Sequence, residues 1–153
     1  MNVLEVMTRA PACATPDMPL QEAARMMVDN NCGCIPVIDE AGAPVGVITD
    51  RDIAIRAVAE GKTPDTPIRE VMTAEVKYCF EDDDISDVAR NMAEIKLRRL
   101  PVVDGRKRLV GIISLGDIAL AQGPDTAGEA LCGISEPGGE HSQSMDGRGT
   151  LAH

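Results

Sequence analysis

The chain reads as an α+β protein built from two tandem β-α-β-β-α repeats packed with pseudo-twofold symmetry. Its motifs occur twice at one offset. Val6-Met7-Thr8 returns as Val71-Met72-Thr73, Ile35-Pro36-Val37 as Leu100-Pro101-Val102, and Gly46–Ile53 as Gly111–Ile118, each 65 residues on. Without a gap, 16 of 49 aligned positions are identical between 6–54 and 71–119, against about 3 by chance at average composition. Each copy also carries one helical apolar stripe followed by two short apolar runs. A repeat of about 50 residues is marginal alone, whereas about 120 residues bury a sizeable shared core.

The elements follow in the same order in both copies. A short segment ends in Val-Met-Thr, and an extended piece comes next, near Ala12–Thr15 or Lys77–Phe80. An amphipathic helix follows. Its apolar positions are Leu20, Ala23, Ala24, Met27 and Val28 in one copy and Ile85, Val88, Ala89, Met92 and Ala93 in the other, spaced i, i+3, i+4, i+7, i+8. Pro19 suits a first helical turn. Asp82-Asp83-Asp84 suits a helix N-terminus, where the dipole favours negative charge; a divalent-metal cluster is the alternative. Strands are expected at Ile35–Asp39 and Val45–Ile48, and at Leu100–Asp104 and Leu109–Ile113, paired as hairpins across the turns 40–44 and 105–108. Each strand Pro sits near its start, where a missing N–H is tolerated. A second helix begins after Thr49 and after Ser114.

This pattern divides the chain into a first unit at 1–60, a linker at 61–70 rich in Gly, Pro and Thr, a second unit at 71–122, and a tail at 123–153. The tail is rich in Gly, Ser and charge and is expected to be disordered.

Composition narrows the function. The net charge of −10 disfavours sequence-independent binding to nucleic acid or an anionic membrane. Aromatic residues are scarce, Tyr78 and Phe80 with no Trp, so the core is aliphatic. Five cysteines, Cys13, Cys32, Cys34, Cys79 and Cys132, have no repeating spacing. Met1-Asn2-Val3-Leu4-Glu5 has neither a basic start nor an apolar run, and no stretch approaches 18 apolar residues. The expectation is a cytoplasmic protein with reduced thiols.

The chemistry-bearing motif is Thr49-x-x-Asp52, repeated as Ser114-x-x-Asp117. A hydroxyl stands three residues before a carboxylate at a strand-to-helix junction. One reading is a capping box, with the hydroxyl at the N-cap and the acid at N3. The other is a nucleotide grip. Free N–H groups and the positive end of the dipole favour phosphate there, and a carboxylate can accept from both ribose hydroxyls. Spacing alone does not choose between them.

Taken together, Val-Met-Thr, apolar-Pro-Val-x-Asp and Gly-x-Ile-(Thr/Ser)-x-x-Asp resemble a CBS-domain pair, or Bateman module, over about residues 3–122. The resemblance implies a non-enzymatic regulatory or signal-transduction module. It would bind AMP, ADP, ATP, NAD or S-adenosylmethionine in clefts between two CBS repeats. It would need no other cofactor, would form a homodimer through its helices, and would act on an unknown effector protein. In the family the Asp of the last motif holds ribose, the Ser/Thr holds phosphate, and residues around the strand Pro pack on adenine. By position, this implies Ile35, Pro36, Val37, Thr49, Arg51 and Asp52 in the first copy. In the second it implies Leu100, Pro101, Val102, Ser114 and Asp117, with Tyr78 as a further adenine contact.

The copies differ where such clefts would lie. Ala12, Gly33 and Cys34 stand against Lys77, Arg98 and Arg99, and Asp50-Arg51 against Leu115-Gly116. The second site is therefore expected to be the more basic, with Arg99 as a ligand contact, and to prefer the more highly charged ligand. Alternatively, Arg98 and Arg99 cap a solvated helix C-terminus. Cys32-Gly33-Cys34 has no partner pair for a metal; Cys32 aligns with Leu97 and reads as core. Cys13 and Cys79 also read as core, and Met26, Met27 and Met92 as ordinary packing. The only histidines, His141 and His153, fall in the tail, which argues against a His-based triad or general base. An enzyme acting on nucleotides, and a redox- or metal-responsive structural dimer without nucleotide, are the competing readings.

Overall fold

The computed structural model describes residues 1–137. In chain order they form α1 (Val3–Val6), β1 (Thr8–Arg9), α2 (Leu20–Asn30), β2 (Cys34–Ile38), β3 (Pro44–Thr49) and α3 (Asp50–Asp52). α3 continues as a π-helix, Ile53–Val58, and a 3-10 turn follows at Ile68–Glu70. Then come β4 (Cys79–Phe80), α4 (Ile85–Ile95), β5 (Arg99–Val103), β6 (Leu109–Ser114), α5 (Leu115–Gln122) and α6 (Pro124–Ser135).

The two copies adopt the same local geometry because they carry the same turn chemistry. α2 and α4 both end on a left-handed residue, Asn31 at φ 49° and Lys96 at φ 58°. Such a C-cap returns the chain to the strand that follows. The hairpin turns also match. Asp39 Oδ1 accepts from Ala41 N (2.9 Å) and Ala43 N (3.0 Å), and Asp104 Oδ1 from Arg106 N (2.8 Å) and Arg108 N (3.0 Å). An Asp at the head of a turn mimics a backbone turn with its carboxylate. β2 and β3 pair antiparallel from Cys34↔Thr49 to Ile38↔Pro44, with an irregularity at Val37/Ile38. The strands of the second copy lie in a sheet of order β1-β6-β5-β4. Each observed β2 and β5 starts and ends one residue before the expected span.

Two compact units result. The first comprises Arg9–Tyr78 and Val103–Gly111; the second comprises Met1–Thr8, Cys79–Val102 and the chain from Ile112 onward. Each unit thus takes its leading segment from the other copy. Ile68 N donates to Met18 O and Arg69 N to Pro16 O (both 2.9 Å), and Ile68 and Val71 join the first core. Reciprocally, Val3 N donates to Asp83 O and Leu4 N to Glu81 O (both 2.9 Å). The first core consists of Ala14, Leu20, Ala23, Ile35, Val37, Ile48, Ala57, Ile68 and Val71. Burying each Ile or Val in it contributes about 1.5–3 kcal/mol. In the second unit Val3, Ile85, Val88, Met92, Leu100, Val102, Ile113 and Ile118 are buried.

Two expectations need correction. Val28, placed on the buried stripe of α2, is 71% exposed, whereas its mate Ala93 on α4 is covered. The cover is α6, which falls in the stretch expected to be disordered. Residues 124–135 are helical, with Pro124 in the first turn and Ala127 and Ala130 buried. Small side chains permit this packing, since Gly133 lets α6 approach the α4 backbone at Ala93. The rest of the expected tail, with His141 and His153, lies outside the described residues. Among the described helices none is long and apolar enough to cross a membrane.

Candidate functional site

Thr49 and Ser114 end β3 and β6 in nearly identical extended conformations, φ −116° and −117°, and each is a helix N-cap. In the first unit Thr49 Oγ1 accepts from Asp52 N (3.0 Å) and Asp52 Oδ2 accepts from Thr49 N (3.1 Å). In the second, Ser114 Oγ accepts from Asp117 N (3.1 Å) and Asp117 Oδ2 from Ser114 N (2.9 Å). Both are complete capping boxes, so the first reading of the motif is realised. It does not displace the second. The cap uses each hydroxyl only as an acceptor and only Oδ2 of each carboxylate. The hydroxyl proton and Oδ1 are left over by the cap, on side chains whose rotamers it fixes.

The start of the preceding strand comes to the same place in each unit. Asp50 N donates to Gly33 O (2.9 Å), and Cys34 pairs with Thr49. Likewise Leu115 N donates to Arg98 O (2.8 Å). The two junctions differ in charge at two aligned positions. In the first unit a Cβ on Gly33 would lie 2.6 Å from Asp50 Oδ2, so the carboxylate occupies the space over that glycine. In the second, Arg98 replaces Gly33 and Leu115 replaces Asp50. Arg98 and Arg99 are exposed. They lie past the C-cap of α4, at the approach to and first residue of β5, not on the helix end.

The remaining sequence-predicted residues fall in two groups. Ile35, Val37, Leu100 and Val102 have no exposed surface, and Pro36 and Pro101 are buried as well. They lie inside β2 and β5, in the interior of their units. Arg51, on α3, and Tyr78, just before β4, are half-buried. Arg56 was not anticipated. It stands four residues after Asp52, a helical neighbour spacing, and its Nε lies 3.7 Å from Asp52 Oδ1.

A cavity of about 460 Å³ opens elsewhere in the first unit, lined by Pro11, Cys13, Ile38, Leu109, Val110 and the Asp104–Arg108 ion pair among others. None of the predicted site residues lines it. All five cysteines are unbridged. Cys32 packs on the first core. Burial, with the Asp83 carboxylate adding to it, pushes the Cys79 thiol up to about 12, which makes it a poor nucleophile or metal ligand. Among the described residues no three His, Cys, Asp or Glu side chains converge to hold a metal ion. Asp84, from the acidic run, is instead the N-cap of α4 and accepts from Ser86 N (2.8 Å).

Comparison with known proteins accords with this doubled architecture. The chain is 42% identical over 135 residues to "CBS domain-containing protein YhcV" of Bacillus subtilis (strain 168), covering 88% of this chain and 95% of that one. It is similar in structure to the CBS domain pair of protein MJ0100 in complex with 5′-methylthioadenosine and S-adenosyl-L-methionine. There the TM-score is 0.71 at 33% identity, over 80% of this chain and 96% of that one. It is also similar to CBSX2 in complex with AMP, with a TM-score of 0.70 at 29% identity over 78% and 94%. The family model of the CBS domain matches twice, at residues 3–58 and 68–123, and the chain therefore belongs to the CBS domain family as a short tandem pair.

Proposed function

We propose that this CBS pair is a non-enzymatic regulatory module that binds an adenosine-containing ligand at Thr49/Asp52 and at Ser114/Asp117. The carrying observation is the pair of matching capping boxes. Each leaves a hydroxyl proton and a carboxylate Oδ1 outside the cap at a helix N-terminus, beside the first residues of β2 or β5, and Asp52 Oδ1 faces Arg56. The hydroxyl and the adjacent N–H groups suit phosphate, and the carboxylate suits the two ribose hydroxyls. The AMP and S-adenosylmethionine complexes of the structural neighbours support this reading. Ile35, Pro36, Val37, Leu100, Pro101 and Val102 contribute as the buried layer behind the adenine side of the ligand, with Arg51 and Tyr78 at the rim.

The two sites take ligands of different charge. Asp50 over Gly33 repels phosphate at the first junction, and Arg98 and Arg99 attract it at the second. The second site is thus the one for the more highly phosphorylated ligand. Binding acts by favouring one of two packings of the chain or of a homodimer, which requires different affinities for the two states. The output passes to an effector protein in the cytoplasm.

Calorimetric titration with AMP, ATP and S-adenosylmethionine tests this. Asp52→Ala and Asp117→Ala should each remove one binding event, and Asp117→Ala should lose ATP more than AMP. Equal losses in both variants would overturn the charge asymmetry. A flat thermal shift across the adenosine panel would overturn the ligand itself and favour a redox- or metal-responsive dimer. Turnover of ATP on incubation would make the chain an enzyme.

A further inference from the structure

We infer that Arg56 is a specificity-determining residue of the first site: it occupies the ribose-facing atom of Asp52, so that the second site fills first. This rests on the proposed adenosine site. The cap engages Asp52 Oδ2, and the other oxygen, Oδ1, is the one that faces Arg56 Nε at 3.7 Å. The guanidinium is held from its far side too. Nη1 donates to Met72 O (3.4 Å) and Val71 O (3.5 Å), the carbonyls of the second Val-Met-Thr motif. A side chain anchored at both ends loses little further freedom in keeping its place, so the contact competes with a ligand more effectively than a loose surface pair.

The internal repeat supplies the control. The position 65 residues after Arg56 is Ala121. A methyl group makes no such contact with Asp117, whose Oδ2 makes the same cap bond as that of Asp52. The two carboxylates are therefore presented by the same cap, and among the described residues only Asp52 is matched with a cation. A ribose entering the first site must displace the Arg56 guanidinium from Oδ1; one entering the second displaces water. Adenosine, which has no phosphate, isolates this competition from any attraction of Arg56 for ligand charge.

The experiment titrates full-length Asp117→Ala, in which only the first site remains, with adenosine and then AMP, and repeats it in Asp117→Ala with Arg56→Met. Removing the guanidinium should tighten adenosine binding roughly fivefold or more, the upper end of what an exposed ion pair is worth, because the Asp52 side chain is nearly buried. Rising salt should tighten adenosine in the single variant by screening the half-exposed pair, and should do so less in the double variant. Arg56→Met in the otherwise natural chain should bring the two dissociation constants closer together, a check that does not depend on Asp117→Ala folding. Unchanged or weaker adenosine binding without Arg56, or salt dependence equal in both variants, overturns the inference while leaving the adenosine sites standing. Absence of adenosine or AMP binding in the natural chain removes those sites and the inference with them.

Discussion

Gly133 of α6 lies against Ala93 of α4 so closely that a Cβ built on the glycine would stand 2.6 Å from the Ala93 Cβ and 3.2 Å from its Cα. Neither atom can rotate away. Gly133→Ala must therefore push α6 off α4 and should cost about 1–3 kcal/mol, as overpacking does. Urea denaturation followed by circular dichroism would read this, and a loss below about 0.5 kcal/mol would mean that α6 is not seated as described.

Two glycines of the first unit make a contrasting pair. A Cβ on Gly46 would meet Met72 Sδ at 2.7 Å and the backbone Thr73 O at 2.9 Å, in the bridge where Val47 N donates to Thr73 O and Thr73 N to Val47 O. The nearest atoms to a Cβ on Gly33 are those of the Asp50 carboxylate, at 2.6–3.2 Å, a side chain that can swing out. Gly46→Ala is expected to destabilise by about 1–3 kcal/mol and Gly33→Ala by much less. Equal melting temperatures for the two variants would contradict this.

At the second junction the cap and the helix can be tuned in opposite directions. Ser114→Ala removes the acceptor for Asp117 N and should cost about 1 kcal/mol. Gly116 is exposed in the first turn of α5. A Cβ there would meet only Ser114 Oγ, at an ordinary contact distance of 3.5 Å, so the position has room for a side chain. Gly116→Ala should stabilise by about 0.5–1 kcal/mol through helix propensity. Differential scanning calorimetry of the two variants checks both signs.

Thiol reactivity should separate the cysteines. With its thiol pushed up to about 12, Cys79 is thiolate in roughly one molecule in 10⁴ at pH 8, and it is buried. Cys132 is exposed on α6. Iodoacetamide at pH 8 should label Cys132 within minutes and Cys79 only on unfolding, as peptide mass mapping would show. Rapid labelling of Cys79 in the native protein would refute its burial.

Acid stability follows from two carboxylates. The backbone N–H of Ser86 holds Asp84 below its ordinary 3.8, and the backbone N–H of Arg108 does the same for Asp104. A carboxylate lowered in the folded state contributes stability above its unfolded value and loses it as pH falls through the folded one. The melting temperature should therefore be insensitive to these groups at neutral pH and fall below about pH 4. Asp104→Asn should show a shallower decline there than the natural chain; an identical slope would rule out the contribution.

Local chemistry carried most of this fold. The stripe at Ile85, Val88, Ala89 and Met92 is buried as its spacing demands, and both Thr/Ser-x-x-Asp motifs sit at strand-to-helix junctions. What periodicity could not carry was long-range. The π winding of Ile53–Val58 has no counterpart in α5, although both follow the same cap. The seating of Gly133 on Ala93 depends on small residues that read as disorder when taken alone. Arg56 escaped because aligning the copies draws attention to what they share; its signal was the four-residue step from Asp52.

The exchange of leading segments has a consequence for synthesis. Ile68 and Val71 close the core built on Leu20, Ile35 and Ile48, so that core lacks a wall until the ribosome has passed into the second copy. The amino-terminal Val3, for its part, has no seat until the stretch around Asp83 and Ile85 emerges. The chain thus cannot complete its halves one after the other. A fragment cut at residue 60 would be an open shell, and the first unit, Arg9–Tyr78 with Val103–Gly111, is complete only once Gly111 has emerged.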